Sequence, residues 1–253
     1  MGAHQPVPGP ALSRRACGKG RAMTEAHDPT VSAPQFAPGA SAAANLSRNE
    51  IEALCLKAAR GAGMPWGLAE EAGFAAGWLA LHGLDGAALL LAHLTDPLES
   101  RFAISDRQWS GMDGLCPIAV GAALDDHAAL PAGICAGPVS LRALRRPVLA
   151  LPLLARMAAA MGRALVLDWN GGQARITASG AIAPDDLAML AALCEADLTI
   201  SVTADAAAAP APTGIASVSE QALAGLQALA MRTTVPASEQ SRRGAGAAAS
   251  DND

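Results

Sequence analysis

Residues 46–83, LSRNEIEALCLKAARGAGMPWGLAEEAGFAAGWLALHG, read as two helices joined by a rigid Gly/Met-Pro turn. Ser47 as N-cap and Glu50 three residues later make a capping box, and Leu46 is placed to staple onto Ile51. Ile51, Leu54, Cys55 and Ala58 then form one apolar face, which Gly61 ends. Pro65 sits at or near the start of the second helix, whose first turn is expected to hold Glu70 and Glu71, where the helix dipole favours negative charge. Gly73 and Gly77, with Ala69, Ala72, Ala76 and Ala80 nearby, give that helix a surface another helix can approach closely. Phe74, Trp78 and Leu81 supply its bulky contacts, and a short third helix, 87–94, follows.

Beyond this opening the pattern changes. Residues 118–124 (IAVGAAL) predict a short buried strand, which places Asp125, Asp126 and His127 at its carboxyl end in a solvated loop. A helix is expected from about Pro152 to Met161, stopped by Gly162. Leu165 to Trp169 and Gln173 to Thr177 flank Asn170-Gly171-Gly172, so a β-hairpin is expected over 165–177. Pro184, Asp185 and Asp186 start another helix, Leu198, Ile200 and Val202 alternate as a strand, and Ser217 with Glu220 predicts a second capping box for a helix ending near Met231. Helices and strands mix without a repeating βαβ unit. The expected fold class is α+β, an N-terminal helical unit followed by a mixed helix/strand domain, with α/β as the alternative.

The expected organisation is an arm over 1–45, too poor in periodic hydrophobic residues to order itself, and one globular unit over 46–253. Within that unit, 46–94 is a helical subdomain, 95–205 a mixed region, 206–216 an Ala/Pro linker, and 217–253 a helix with a docked tail.

Composition narrows the function classes. Of 253 residues, 51% are hydrophobic and 16% charged, which indicates a folded chain, and with 3% aromatics and no Tyr the core must be largely aliphatic. A net charge of -5 without a basic stripe leaves no nucleic-acid footprint. Five cysteines, odd in number and never in a CxxC pair, argue against a disulfide framework and a zinc site, so reduced thiols and no metal are expected. No apolar run approaches the ~20 residues that cross a bilayer, and no secretory h-region follows the first basic residues. The expected location is the cytoplasm.

For chemistry, the turn Arg60-Gly61-Ala62-Gly63-Met64-Pro65-Trp66 combines a guanidinium, two permissive glycines and a helix N-terminus, features that receive anions. His82 and His93 are expected as helix-end partners, and Cys116 as a buried thiol with no identifiable base beside it. The segment from Thr233 to Gly246 offers hydroxyls and two guanidiniums.

The two ends, SRNEIEALCLKAARGAGMPWGLAEEAG and VPASEQSRRGAGAAASDND, resemble a bacterial family of a domain of unknown function, number 3726, over about 46–253. That resemblance implies no particular reaction, fold or cofactor. It does favour a tail that docks on the body. More loosely, the capped helix, Gly-containing turn and long helix ahead of His82-Gly83 are similar to the opening of malate/lactate dehydrogenases that lack a Rossmann fingerprint, which would imply an oxidoreductase.

The leading expectation is therefore binding of a small anionic metabolite, with Arg60, Trp66, Glu70 and Glu71 on one side and Ser238, Ser241, Arg242 and Arg243 on the other. The alternatives are an assembly subunit, a homo-oligomer included, that packs a partner helix on the Gly73/Gly77 surface, and the reductase.

Overall fold

The structure is a computed structural model that describes residues 43–96, 100–204 and 214–234. The expected arm up to residue 42, residues 206–213 of the expected linker and the tail from 235 lie outside the described residues. The helices are α1 (Arg48–Gly61), α2 (Trp66–Leu81), α3 (Gly86–Leu94), α4 (Pro117–His127), α5 (Leu151–Met161), α6 (Pro184–Ala191) and α7 (Glu220–Met231). The strands are β1 (Ala103–Ser105), β2 (Gln108–Ser110), β3 (Val139–Arg145), β4 (Ala164–Trp169), β5 (Gly172–Ile176) and β6 (Glu195–Thr203). The fold is α+β.

The helical layer is built by backbone proximity. The capping box at the start of α1 is complete: the Glu50 amide donates to Ser47 Oγ at 3.3 Å, and the Ser47 amide donates to Glu50 Oε2 at 2.8 Å. Ile51, Cys55 and Ala58 are fully buried against α2. A Cβ on Gly73 would lie 2.7 Å from the Glu52 carbonyl oxygen, and one on Gly77 would lie 2.4 Å from Glu52 Cγ. The small-residue surface expected to receive a partner helix is therefore closed by α1 of the same chain. At the other side of α1, a Cβ on Gly61 would meet the Leu229 carbonyl oxygen of α7 at 1.8 Å. These approaches leave no room for a methyl group, which explains how a core so rich in alanine can pack densely.

Two details of the last helix differ from expectation. Its N-cap is Ser219, and no side chain caps it; Ser217 is exposed. Val218 exchanges hydrogen bonds with Ala44 (2.8 and 2.9 Å), which keeps the chain extended past Ser217 and delays the helix. The missing cap comes from elsewhere. Asp85 accepts the Ser219 amide on Oδ2 at 3.0 Å and the Ala88 amide on Oδ1 at 2.9 Å, so one carboxylate serves the starts of α7 and α3. Ala44 and Ala216, the latter bonded to the Ala80 carbonyl at 2.8 Å, thus tie expected arm and linker residues to the body.

Residues 118–124 form helix α4, not the strand their apolar run predicts. A short apolar run does not distinguish a buried strand from a buried helix. Here Pro117 at the first turn decides it, and Gly121 lets α4 approach α5 until a Cβ would come within 2.7 Å of Leu153 Cδ1.

The sheet has six strands in the order β1-β2-β3-β6-β4-β5. All neighbours are antiparallel except β2 and β3. The hairpin expected over 165–177 is present as β4 and β5, with Gly171 at φ 99° in its turn. Strand β1, strand β2 and strand β3 had no clear signal. The β1–β2 turn uses Asp106 and Arg107 at positive φ (45° and 66°) where glycine is usual, and the Arg107 side chain holds the loop before β3 through the carbonyls of Ala132, Gly133, Gly137 and Pro138. Register separates the faces. Trp109, Leu141, Leu198 and Trp169 align across β2, β3, β6 and β4 on the side of the apolar core, where α5 and α6 pack. One residue along, Gln108, Ser140, Thr199, Asp168 and Gln173 align from β2 to β5 as a polar row.

Candidate functional site

The α1–α2 turn forms an exposed corner. Arg60 Nη1 donates to the Met64 carbonyl at 2.7 Å, which fixes the turn, and its guanidinium lies 5.5 Å from the centroid of the Trp66 ring. Because α2 begins at Trp66, Glu70 and Glu71 fall past the first turn in which they are expected, and Trp66 itself is 60% exposed. Its Nε1 donates to Glu70 Oε1 at 2.7 Å. Arg60, Trp66 and Glu70 are thus brought together, with the indole set between a cation and an anion.

Glu71 lies elsewhere. Its carboxylate faces Arg156 of α5, with Oε1 at 3.0 Å from Nη2 and Oε2 at 2.9 Å from Nη1. Arg156 Nε also donates to Asp125 Oδ2 at 2.8 Å, and its guanidinium sits 5.0 Å above the Phe74 ring. The Glu71 hydrogen bond leads the causes that raise the Arg156 pKa, against the opposing effect of burial. This is a structural clamp joining α2, α4 and α5. Sequence spacing placed Glu71 beside Glu70, but adjacent helical residues point about 100° apart and serve different neighbours. Ser238, Ser241, Arg242 and Arg243 lie outside the described residues. The helix that precedes them, α7, abuts Gly61 of the turn, and Thr234 lies three residues past its last residue, Met231.

A second cluster has no counterpart in the sequence reading. Cys116 Sγ lies 3.5 Å from Nε2 of His93, both buried, with Cys116 at the N-cap of α4. Burial lowers His93 to a pKa of about 4, with Arg146 acting in the same direction, Asp96 opposing and Arg145 adding to the fall. Burial raises the Cys116 thiol, against the pull of the Ala119 and Ile118 amides. Both groups are therefore neutral near pH 7, and the contact is a buried polar bond inside the core instead of an activated nucleophile. The partner of Cys116 is 23 residues away in the chain, a separation at which no local motif connects them. Cys55 is likewise pushed up, to about 12, by burial and then by Asp85 and Glu52. Cys55, Cys116 and Cys135 are free, as expected, whereas Cys194 departs from that expectation and is disulfide-bonded.

His82 is half-buried, stacked 3.5 Å from Trp78 with Nδ1 at 2.8 Å from the Trp78 carbonyl oxygen, at the C-cap of α2. Its pKa is lowered by burial, against the Trp78 hydrogen bond, with Arg48 adding to the fall. Asp126 and His127 lie in the last turn of α4, where His127 Nδ1 meets the Ala123 carbonyl at 2.7 Å and its ring meets the edge of Trp109. Among the described residues, no group of three or more His, Cys, Asp or Glu could hold a metal ion, and no helix is long and apolar enough to cross a membrane.

A cavity of about 330 Å³ opens on the polar side of the sheet. Ser140, Arg142, Asp168, Asn170, Asp197 and Thr199 supply its polar lining.

With the corner and the buried pair in place, the chain can be set beside known families. Residues 46–120 match the family described as Protein of unknown function (DUF3726). The DUF3726 match runs from Leu46 through α1, α2 and α3 to Val120 in α4, so it takes in the corner, His93 and Cys116. The closing VPASEQSRRGAGA motif lies beyond the DUF3726 match. No curated protein and no solved structure matches the chain.

Proposed function

We propose that this protein binds a small anionic metabolite at the corner where the α1–α2 turn meets the end of α7. The observation that supports this reading is the close approach of the Leu229 carbonyl, five residues before Thr234, to Gly61, the residue after Arg60. From Thr234 to Arg242 an extended chain spans up to ~26 Å, which sets the reach of Arg242 and Arg243 toward the indole. Ser238 and Ser241 add hydroxyl donors on the same segment.

On the body, Arg60 and Glu70 balance each other around Trp66, so a bare corner has little preference for an anion. Two tail guanidiniums shift that balance. One can pair with Glu70 while the other and Arg60 fork onto a carboxylate or phosphate above the indole face. Glu71, committed to Arg156, takes no part.

The test is trypsin cleavage at Arg242 and Arg243 in the full chain, with and without citrate or inorganic phosphate. Either anion is expected to slow cleavage several-fold, and Arg60→Gln to abolish the protection. Cleavage at the same rate with and without both anions overturns the reading.

A further inference from the structure

We propose that the cavity on the polar face of the sheet is a second binding site, for a small hydroxylated amine held through Asp168. Three charged side chains line it, and their pairing decides the ligand's sign. Arg142 Nη1 donates to Asp197 Oδ2 at 2.7 Å, and Asp197 Oδ1 accepts the Ala143 amide at 2.8 Å. That pair is internally neutral. The Ala143 amide reaches Asp197 because β3 is bulged there, with Ala143 in the left-handed region at φ 49°. An L-residue in that conformation carries local strain, and the hydrogen bond from the Ala143 amide to Asp197 helps to hold it there.

Asp168 is left with a net negative charge. Its Oδ1 accepts the Gln173 amide at 2.6 Å, a neutral donor, and no cation pairs with it among the described residues. Beside it, Ser140 Oγ and Thr199 Oγ1 stand 3.5 Å apart, and Asn170 closes the end of β4. Hydroxyls and a side-chain amide both donate and accept, as ligand hydroxyl groups require. The half-buried carboxylate calls for an ammonium group, and the modest volume limits the ligand to a small one. An anionic ligand meets the wrong sign here, so this site and the corner select different molecules.

Ethanolamine is the probe, with ethylene glycol and acetate for contrast, in ¹⁵N-edited NMR titrations of the full chain. Ethanolamine should shift the amides of Asp168, Asn170 and Thr199 in a saturable way, and bind about tenfold more tightly than ethylene glycol, the difference a charge-assisted hydrogen bond makes. Acetate should leave these amides unmoved. Asp168→Asn keeps an acceptor for Gln173 but removes the charge, and should reduce ethanolamine affinity to that of the glycol. Thr199→Val, close in shape, should weaken ethanolamine several-fold and serves if the first variant does not fold. Equal binding of ethanolamine and ethylene glycol, or no saturable shift at these amides, overturns the proposal.

Discussion

The helical layer and the sheet bury their residues by opposite means. In the first, glycine and alanine let backbones meet, so that Gly61, Gly73 and Gly77 sit where a single methyl group would strike a neighbouring helix. In the second, Leu141, Leu198 and Ile200 fill space with side chains while their strand neighbours Ser140, Asp197, Thr199 and Ser201 stay polar. A layer packed through its backbone has no slack, and the binding feature proposed for it lies at an exposed turn. A sheet with one free register has positions to spend on a site.

A single added methyl group should disturb the helical layer more than any change in the sheet. Gly61→Ala must displace α7 and should cost more than about 3 kcal/mol of unfolding free energy, whereas Gly67→Ala, with nothing within 4 Å of its Cβ, should be neutral or slightly stabilising. Equal Tm values for the two variants would show that α7 does not pack as described.

Next comes the buried pair beneath both regions. His93 has a pKa lowered from 6.5 to about 4 in the fold, so the unfolded chain binds the extra proton first. Its contribution is fully present above pH 6.5 and is lost as the pH falls toward about 4, a drop of about 3 kcal/mol across that window. Urea titrations at stepped pH should reveal the slope, and His93→Gln should flatten it.

A smaller loss belongs to the clamp between helices. Arg156→Met leaves the half-buried carboxylates of Glu71 and Asp125 without their cation and should cost about 2 kcal/mol. On the sheet side, Ala143→Gly relieves a left-handed alanine and should gain about 1 kcal/mol at the bulge, read as a higher Tm.

The same contrast governs what the sequence could reveal. Helices α1, α2, α5 and α6 carry their own start or stop signals in Ser47, Pro65, Gly162 and Pro184, and the β4–β5 hairpin carries Asn170-Gly171; all are local and all were readable. Strand β3 depends on β2 and β6, distant in sequence, and the β1–β2 turn uses Asp106 and Arg107 in place of glycine, so neither announces itself. Helix α4 was misread because burial on every side erases periodicity. Of the candidate site, the Arg60–Trp66 turn was legible since it lies within seven residues of chain. The Glu71–Arg156 and His93–Cys116 pairings were not, because each joins residues far apart in the chain.

A tail that meets the α1–α2 corner shields Trp66, and acrylamide quenching of that indole reads the shielding. The Trp66 signal is isolated by subtracting Trp66→Phe, in the full chain and in a chain ending at Thr234. Removing residues 235–253 is expected to make Trp66 about twofold more accessible to quencher, since a docked tail would cover much of its indole. Identical quenching in the two chains would contradict it and leave the corner without its second half.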